Sequence, residues 1–121
     1  MLFSHIFDYV AKLFRGRKSE TVTMTDEAIT RTLSSGEAES VRFDDLEKVY
    51  IVTTDQGPFV EDLFYVLKGH HGSTIIGQEW ASKVKLMEML FKLPNLDLEQ
   101  ILRAMASVEN QAFVIWREDW A

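Results

Sequence analysis

The chain has 121 residues, 46% of them hydrophobic and 26% charged, a balance that excludes a disordered or membrane-filling chain and fits one domain. It contains no cysteine, so disulfides, thiolate catalysis and cysteine-held zinc are excluded, and the composition suits a reducing cytoplasm. The net charge of -6 is unevenly spread: residues 1–18 set Lys12, Arg15, Arg17 and Lys18 against Asp8, and the acidic remainder repels nucleic-acid phosphates and attracts a basic partner.

In the opening MLFSHIFDYVAKLFRGRK, Phe3, Ile6, Phe7, Val10, Leu13 and Phe14 recur at helical spacing, with Ser4, Asp8, Lys12 and Arg15 on the other side. This predicts an amphipathic helix. About 14 residues are too few to cross a bilayer as a helix, and the basic residues follow the apolar run, the reverse of a signal peptide. Gly16 is the expected stop, and a short linker leads into a single α+β domain over residues 19–121. The stripe of Phe3, Phe7, Val10 and Phe14 has three possible partners: the domain itself, a second copy in a homodimer, or a membrane surface with the cationic end at the headgroups.

Strand signals follow. Val22 and Met24 alternate with threonines, Asp26 and Glu27 mark a turn, and Ile29 sits among further threonines, which predicts a hairpin. Ser34, Ser35 and Gly36 form a second turn signal before Val41 and Phe43, which share a face. Asp44, Asp45 and Glu47 interrupt the pattern, with Asp44 suited to cap one helical turn, before the β-branched run at residues 48–54. Gly57 and Pro58 turn the chain. The stretch TTDQGPFVEDLFYVL then fits helix and strand alike, but its apolar run ends at Gly69 after about eight residues, a strand length. Residues 62–78 are therefore expected to be a hairpin turning at His70, His71 and Gly72.

The last third changes period. Val84, Met87, Leu90 and Phe91 predict a helix over about residues 80–92, stopped at Pro94, whose missing amide cannot continue it. Asp97 and Gln100 form a capping-box pattern that opens a second helix, with Leu98, Ile101, Leu102 and Met105 expected to face inward. Residues 111–116 are apolar on both faces, as in a strand covered from two sides that returns to the sheet.

Candidate chemistry is sparse. His70 and His71 are adjacent, so on a strand they point apart, and no spacing such as HExxH brings metal ligands together; no metal or other cofactor is implied. No GxSxG motif is present, Gly72 and Ser73 read as a turn exit, and His5 lies on the polar flank of the first helix. The carboxylates Asp55, Glu61 and Asp62 are the candidates for acid-base work, with turn and solubility roles as the plainer account. Trp80 and Trp116 read as core, and Trp120 as an exposed interface aromatic alongside the first helix. Met87, Met89 and Met105 read as gap fillers between helices and sheet.

The run VRFDDLEKVYIVTTDQGPFVEDLFYVL, then LPNLDLEQILRAM and FVIWRE, resembles small bacterial proteins of unassigned activity that share a TTDxGPFxED core; the likeness covers residues 21–118. It implies a free-standing bacterial domain and carries over no catalytic residue. More loosely, Phe43, Asp44, Asp45 and Leu46 between two strands are similar to the meander of bacterial pleckstrin-homology-like domains.

The expected architecture is α+β: a twisted antiparallel sheet of about five or six strands packed against two C-terminal helices, with the N-terminal helix separate. The expected function is a non-enzymatic interaction module, of adaptor or immunity type, that meets a basic protein partner. A peripheral membrane protein and a carboxylate hydrolase are the alternatives.

Overall fold

The computed structural model describes residues 20–55 and 62–121. The predicted N-terminal helix, with Phe3, Phe7, Val10 and Phe14, lies outside the described residues, as does Glu61. Antiparallel α+β architecture is present, but the strands divide into two sheets where one was expected. The first is β1 (Glu20–Met24), β2 (Ala28–Leu33) and β3 (Ala38–Arg42), in that order. The second holds β4 (Leu46–Thr53), β5 (Leu63–Gly69), β6 (Ser73–Gly77) and β7 (Gln111–Arg117), in the order β6-β5-β4-β7.

The division occurs at the acidic interruption. A 3-10 turn over Phe43–Asp45 forms a corner, and β4 then pairs with β5 and β7 rather than with β3. No Asp44 cap is made; its carboxylate instead pairs with Arg42 at 3.1 Å on the surface. The two turns before it fall where turn chemistry requires. Thr25 N donates to Ala28 O, and Gly36 adopts φ 96, a left-handed conformation that costs a residue with a Cβ.

Alternation sets the inner face of the first sheet. Val22, Ile29 and Val41 are buried against Ile51, Leu67 and Ile76 of the second sheet in one core. Arg31 shares that face, because its register partner is Val22, and its side chain is 0% exposed. Its Nε lies 2.8 Å from Glu20 Oε1, while NH1 donates to Glu39 Oε1 at 3.1 Å and to the Ile75 carbonyl at 3.0 Å. Thr74 Oγ1 donates to the same Glu39 oxygen. One guanidinium thus joins three strands of the first sheet to the edge strand of the second.

The helices close the other side of that core. The single helix expected over residues 80–92 is two, α1 (Gln78–Val84) and α2 (Leu86–Leu90), separated by Lys85 at φ 61. The left-handed residue resets the helical phase, so Leu86 and Leu90 are buried while Phe91 turns outward. After Pro94, α3 (Leu98–Ala106) starts with Asp97 Oδ1 accepting from the Gln100 amide at 3.0 Å. The reciprocal half of the capping box is missing: the Asp97 amide donates to Ile115 O, and the Gln100 side chain accepts from Arg103. A bulge in β7 sets Val49 opposite Trp116 and Tyr50 opposite Val114, so Ile115 and Trp116 both enter the first core. Trp116 Nε1 donates to Pro94 O at 2.8 Å, which satisfies the indole there.

Truncating Arg31 leaves Glu20 and Glu39 facing an apolar core. Arg31→Ala is expected to cost about 3–5 kcal/mol in urea unfolding, the usual loss when one partner leaves a buried ion pair. Arg42→Ala, which breaks an exposed pair, is expected to stay within about 1 kcal/mol.

Candidate functional site

The stretch that ends β4 is structural. Thr53 Oγ1 donates to Glu109 O at 2.7 Å and lies 3.0 Å from Ser107 Oγ, the Thr54 amide donates to Asp62 O, and the Asp55 amide donates to Asn110 Oδ1 at 3.1 Å. The bonds of Thr53 and Asp55 fasten the end of the strand to the connection between α3 and β7, and that of Thr54 ties it to the residue before β5.

Asp44 and Asp45 lie at the other end of β4, roughly 24 Å away at about 3.4 Å per residue. Those two carboxylates are therefore remote from Asp55, whereas the bond from Thr54 N to Asp62 O sets Asp62 beside the Asp55 end of β4. Among the described residues, no group of three or more His, Asp or Glu is arranged to hold a metal.

The histidine turn is organised by Asp45. Its backbone oxygen accepts from the His70 amide, Oδ2 accepts from the His71 amide at 3.0 Å, and Oδ1 lies 3.0 Å from His71 Nδ1. Gly69 fits closely beside it, since a Cβ there would stand 3.0 Å from Gly72 O and 3.1 Å from Asp45 Oδ2, and a larger residue would crowd the turn. Desolvation pushes the Asp45 carboxyl up, but the hydrogen bonds from the His71 ring and amide outweigh it and hold the pKa below the ordinary carboxylate value. His70 turns elsewhere, with Nε2 2.8 Å from Glu118 Oε1. The two rings thus serve different carboxylates.

A cleft of about 220 Å³ opens beside the α1–α2 break, between Tyr65 and a rim of Gln78, Ser82, Lys85 and Glu88. It falls below the roughly 300–1,000 Å³ of ordinary small-molecule sites, and neither Asp55 nor Asp62 lines it. Burial raises the Tyr65 pKa above the ordinary phenol value.

The outward side of α3 is the strongest surface feature. Leu98, Ile101, Leu102 and Met105 were all expected to face inward, but only Ile101 is buried, together with Ala104. Leu98 is 55% exposed, Leu102 71%, Met105 44%, and Val108 just beyond the helix 77%. At 100° per residue the buried pair and the exposed three are centred roughly 90° apart, so the helix meets the sheet along one margin of its apolar stripe. Ala104 at 0% exposure permits close approach at that margin, and the anchor from Asp97 N to Ile115 O holds the start of the helix there. Met105 therefore fills no core gap, unlike Met87 and Met89, which pack on the main core. Trp120 is 38% exposed, and its carbonyl accepts from Asn95 Nδ2 at 2.7 Å. Periodicity could reveal this stripe but not how far it was turned from the sheet.

The hydrogen bond to Glu118 raises the His70 pKa above the ordinary imidazole value, against desolvation, which lowers it. Because the folded value is raised, the stabilisation from this pair is complete below the ordinary imidazole pKa and lost as pH rises through the raised one. Glu118→Gln is expected to bring the His70 titration back toward the ordinary value, read from its ring proton shifts by NMR; an unchanged titration would show that the pair does not form in solution.

No family model, curated protein or solved structure matches the chain.

Proposed function

We propose that this chain is a non-enzymatic protein-interaction module, and that the ridge of Leu98, Leu102 and Met105, continued by Val108, receives its protein partner. The exposed half of the α3 stripe carries this reading. A lone surface leucine is ordinary, but apolar side chains in one row at i, i+4 and i+7 form a continuous patch of the kind used as anchors in helix-mediated recognition.

Charge supplies the partner's second property. Setting aside residues 1–18, the totals of 19 acidic and 13 basic residues leave 18 against 9. An apolar patch on such a body suits a protein surface rimmed by lysine and arginine, whose charges speed and orient encounter. Adaptor and immunity-type roles both require this kind of one-sided recognition. Among the described residues no helix is long and apolar enough to cross a membrane.

Leu102→Asp tests the ridge. Since Leu102 is largely exposed, its replacement is expected to move stability by no more than about 0.5 kcal/mol, whereas Leu90→Ala in the core is expected to cost about 2–5 kcal/mol. In pull-downs from the cells of origin, the wild-type chain is expected to retain a stoichiometric protein at moderate salt and L102D to lose it. Equal capture by both would place recognition elsewhere, and no stoichiometric protein with either would remove the interaction reading.

A further inference from the structure

The four-stranded sheet has two apolar faces, and the described helices contribute to the core on only one of them. The second face carries Tyr50 and Val52 of β4, Phe64 and Val66 of β5 and Ile75 of β6, all buried, with Ala112 and Val114 of β7 packed against them. Register makes these a single surface. Val66 pairs with both Tyr50 and Ile75, and Val52 pairs with both Phe64 and Ala112. Neighbouring side chains on a sheet stand about 5 Å apart and shield one another only at their flanks, so burial to this degree requires a second layer.

We propose that the second face is a docking surface for an amphipathic helix and that the chain's own residues 1–18 occupy it. Connectivity is the first support. The segment leads directly into Glu20, whose carboxylate holds Arg31, and Arg31 NH1 donates to the carbonyl of Ile75. The chain thus enters β1 one side chain from the β6 edge of this face. Size is the second. A helix of about 14 residues is roughly 21 Å long and 10 Å wide. Four strands at about 4.8 Å spacing span roughly 14 Å between outer axes, so one such helix can cover the cluster.

Chemistry is the third support. Phe3, Ile6, Phe7, Val10, Leu13 and Phe14 form a stripe as apolar as the face it would meet, and its cationic flank suits the acidic domain. The other chain outside the described residues, 56–61, is a poorer cover. Its ends are drawn together by the bond from Thr54 N to Asp62 O, so six residues reach only about 10 Å from their base and cannot cross the four strands. Docking in this way uses the apolar stripe internally, which leaves none of it for a lipid surface. The proposal is independent of the α3 ridge, whose helix packs on the opposite face of the sheet.

The absence of native cysteine permits a direct test in the full-length chain. Cysteine pairs are introduced with one member at Phe7 or Val10 and the other at Val66 or Val114, and Asp8→Cys on the polar side serves as control. Under mild oxidation, at least one apolar-side pair is expected to form an intramolecular disulfide in the monomer, and the Asp8→Cys pairs none. Disulfide-linked dimers would instead assign the face to a second copy, and no intramolecular bond in any pair would overturn the proposal. A measurement that leaves the sheet untouched accompanies it: Phe7→Asp is expected to lower the thermal midpoint and Asp8→Asn to leave it unchanged. Equal midpoints for Phe7→Asp and wild type would also overturn docking. Flotation of the wild-type chain with phosphatidylglycerol–phosphatidylcholine vesicles, with the crosslink lost on them, would assign the stripe to lipid.

Discussion

The arrangement of this domain depends on one buried cation. Arg31 projects from the middle strand of the small sheet into a core otherwise built from Val22, Ile29, Leu67 and Ile76, and its charge must be matched there. A bare guanidinium in an apolar interior costs several kcal/mol, so Glu20, Glu39 and the Ile75 carbonyl are held to it. The planar fork of arginine suits this task, since it directs separate donors to separate strands, whereas lysine offers a single point charge. Because one of those acceptors belongs to β6, the small sheet cannot slide over the large one without leaving a donor and an acceptor unpaired inside the protein. The clamp adds direction to a hydrophobic contact that by itself has none.

Three local irregularities then decide which side chains the regular elements present. The β7 bulge turns Trp116 into the main core, where strict alternation would have put it on the opposite face. Lys85 in the left-handed region ends α1, and the phase change buries Leu86 and Leu90 while ejecting Phe91. Asp97 binds both the Gln100 amide and the Ile115 carbonyl, which fixes the start of α3 against β7 and leaves Leu98, Leu102 and Met105 in solvent. Each is a small backbone event with a large effect on surface chemistry. The ridge proposed for partner binding and the cleft beside Tyr65 both arise in this way.

The candidate site was less legible than the fold. Asp55, Glu61 and Asp62 attracted attention because carboxylates close in sequence can act together; Asp55 and Asp62 do lie at the same end of the β4–β5 pair, while Glu61 is outside the described residues. Thr53 and the Asp55 amide are engaged in fastening β4 to the α3–β7 connection. His70 and His71 were read as the tip of a hairpin, with the opposed directions of neighbouring strand residues set against a metal, and their two carboxylate partners, Glu118 and Asp45, come from distant parts of the chain. Arg31 carried no signal in sequence. Among threonines on a short strand it looks like an ordinary surface residue, and only the partners brought from β1, β3 and β6 give it its role.

Interactions confined to a few neighbouring residues were readable from residue order: the hairpin turns at Asp26 and Gly36, the β5–β6 hairpin, the Asp97 cap and the strand character of residues 111–116. Such features depend on turn chemistry, capping and alternation, all of which act within about four residues. Packing alone chose between one sheet and two, broke a helix at Lys85 and rotated α3 away from its expected face. Those choices rest on contacts between residues far apart in the chain, such as Arg31 with Ile75 and Trp116 with Pro94, which the order of neighbouring residues does not encode.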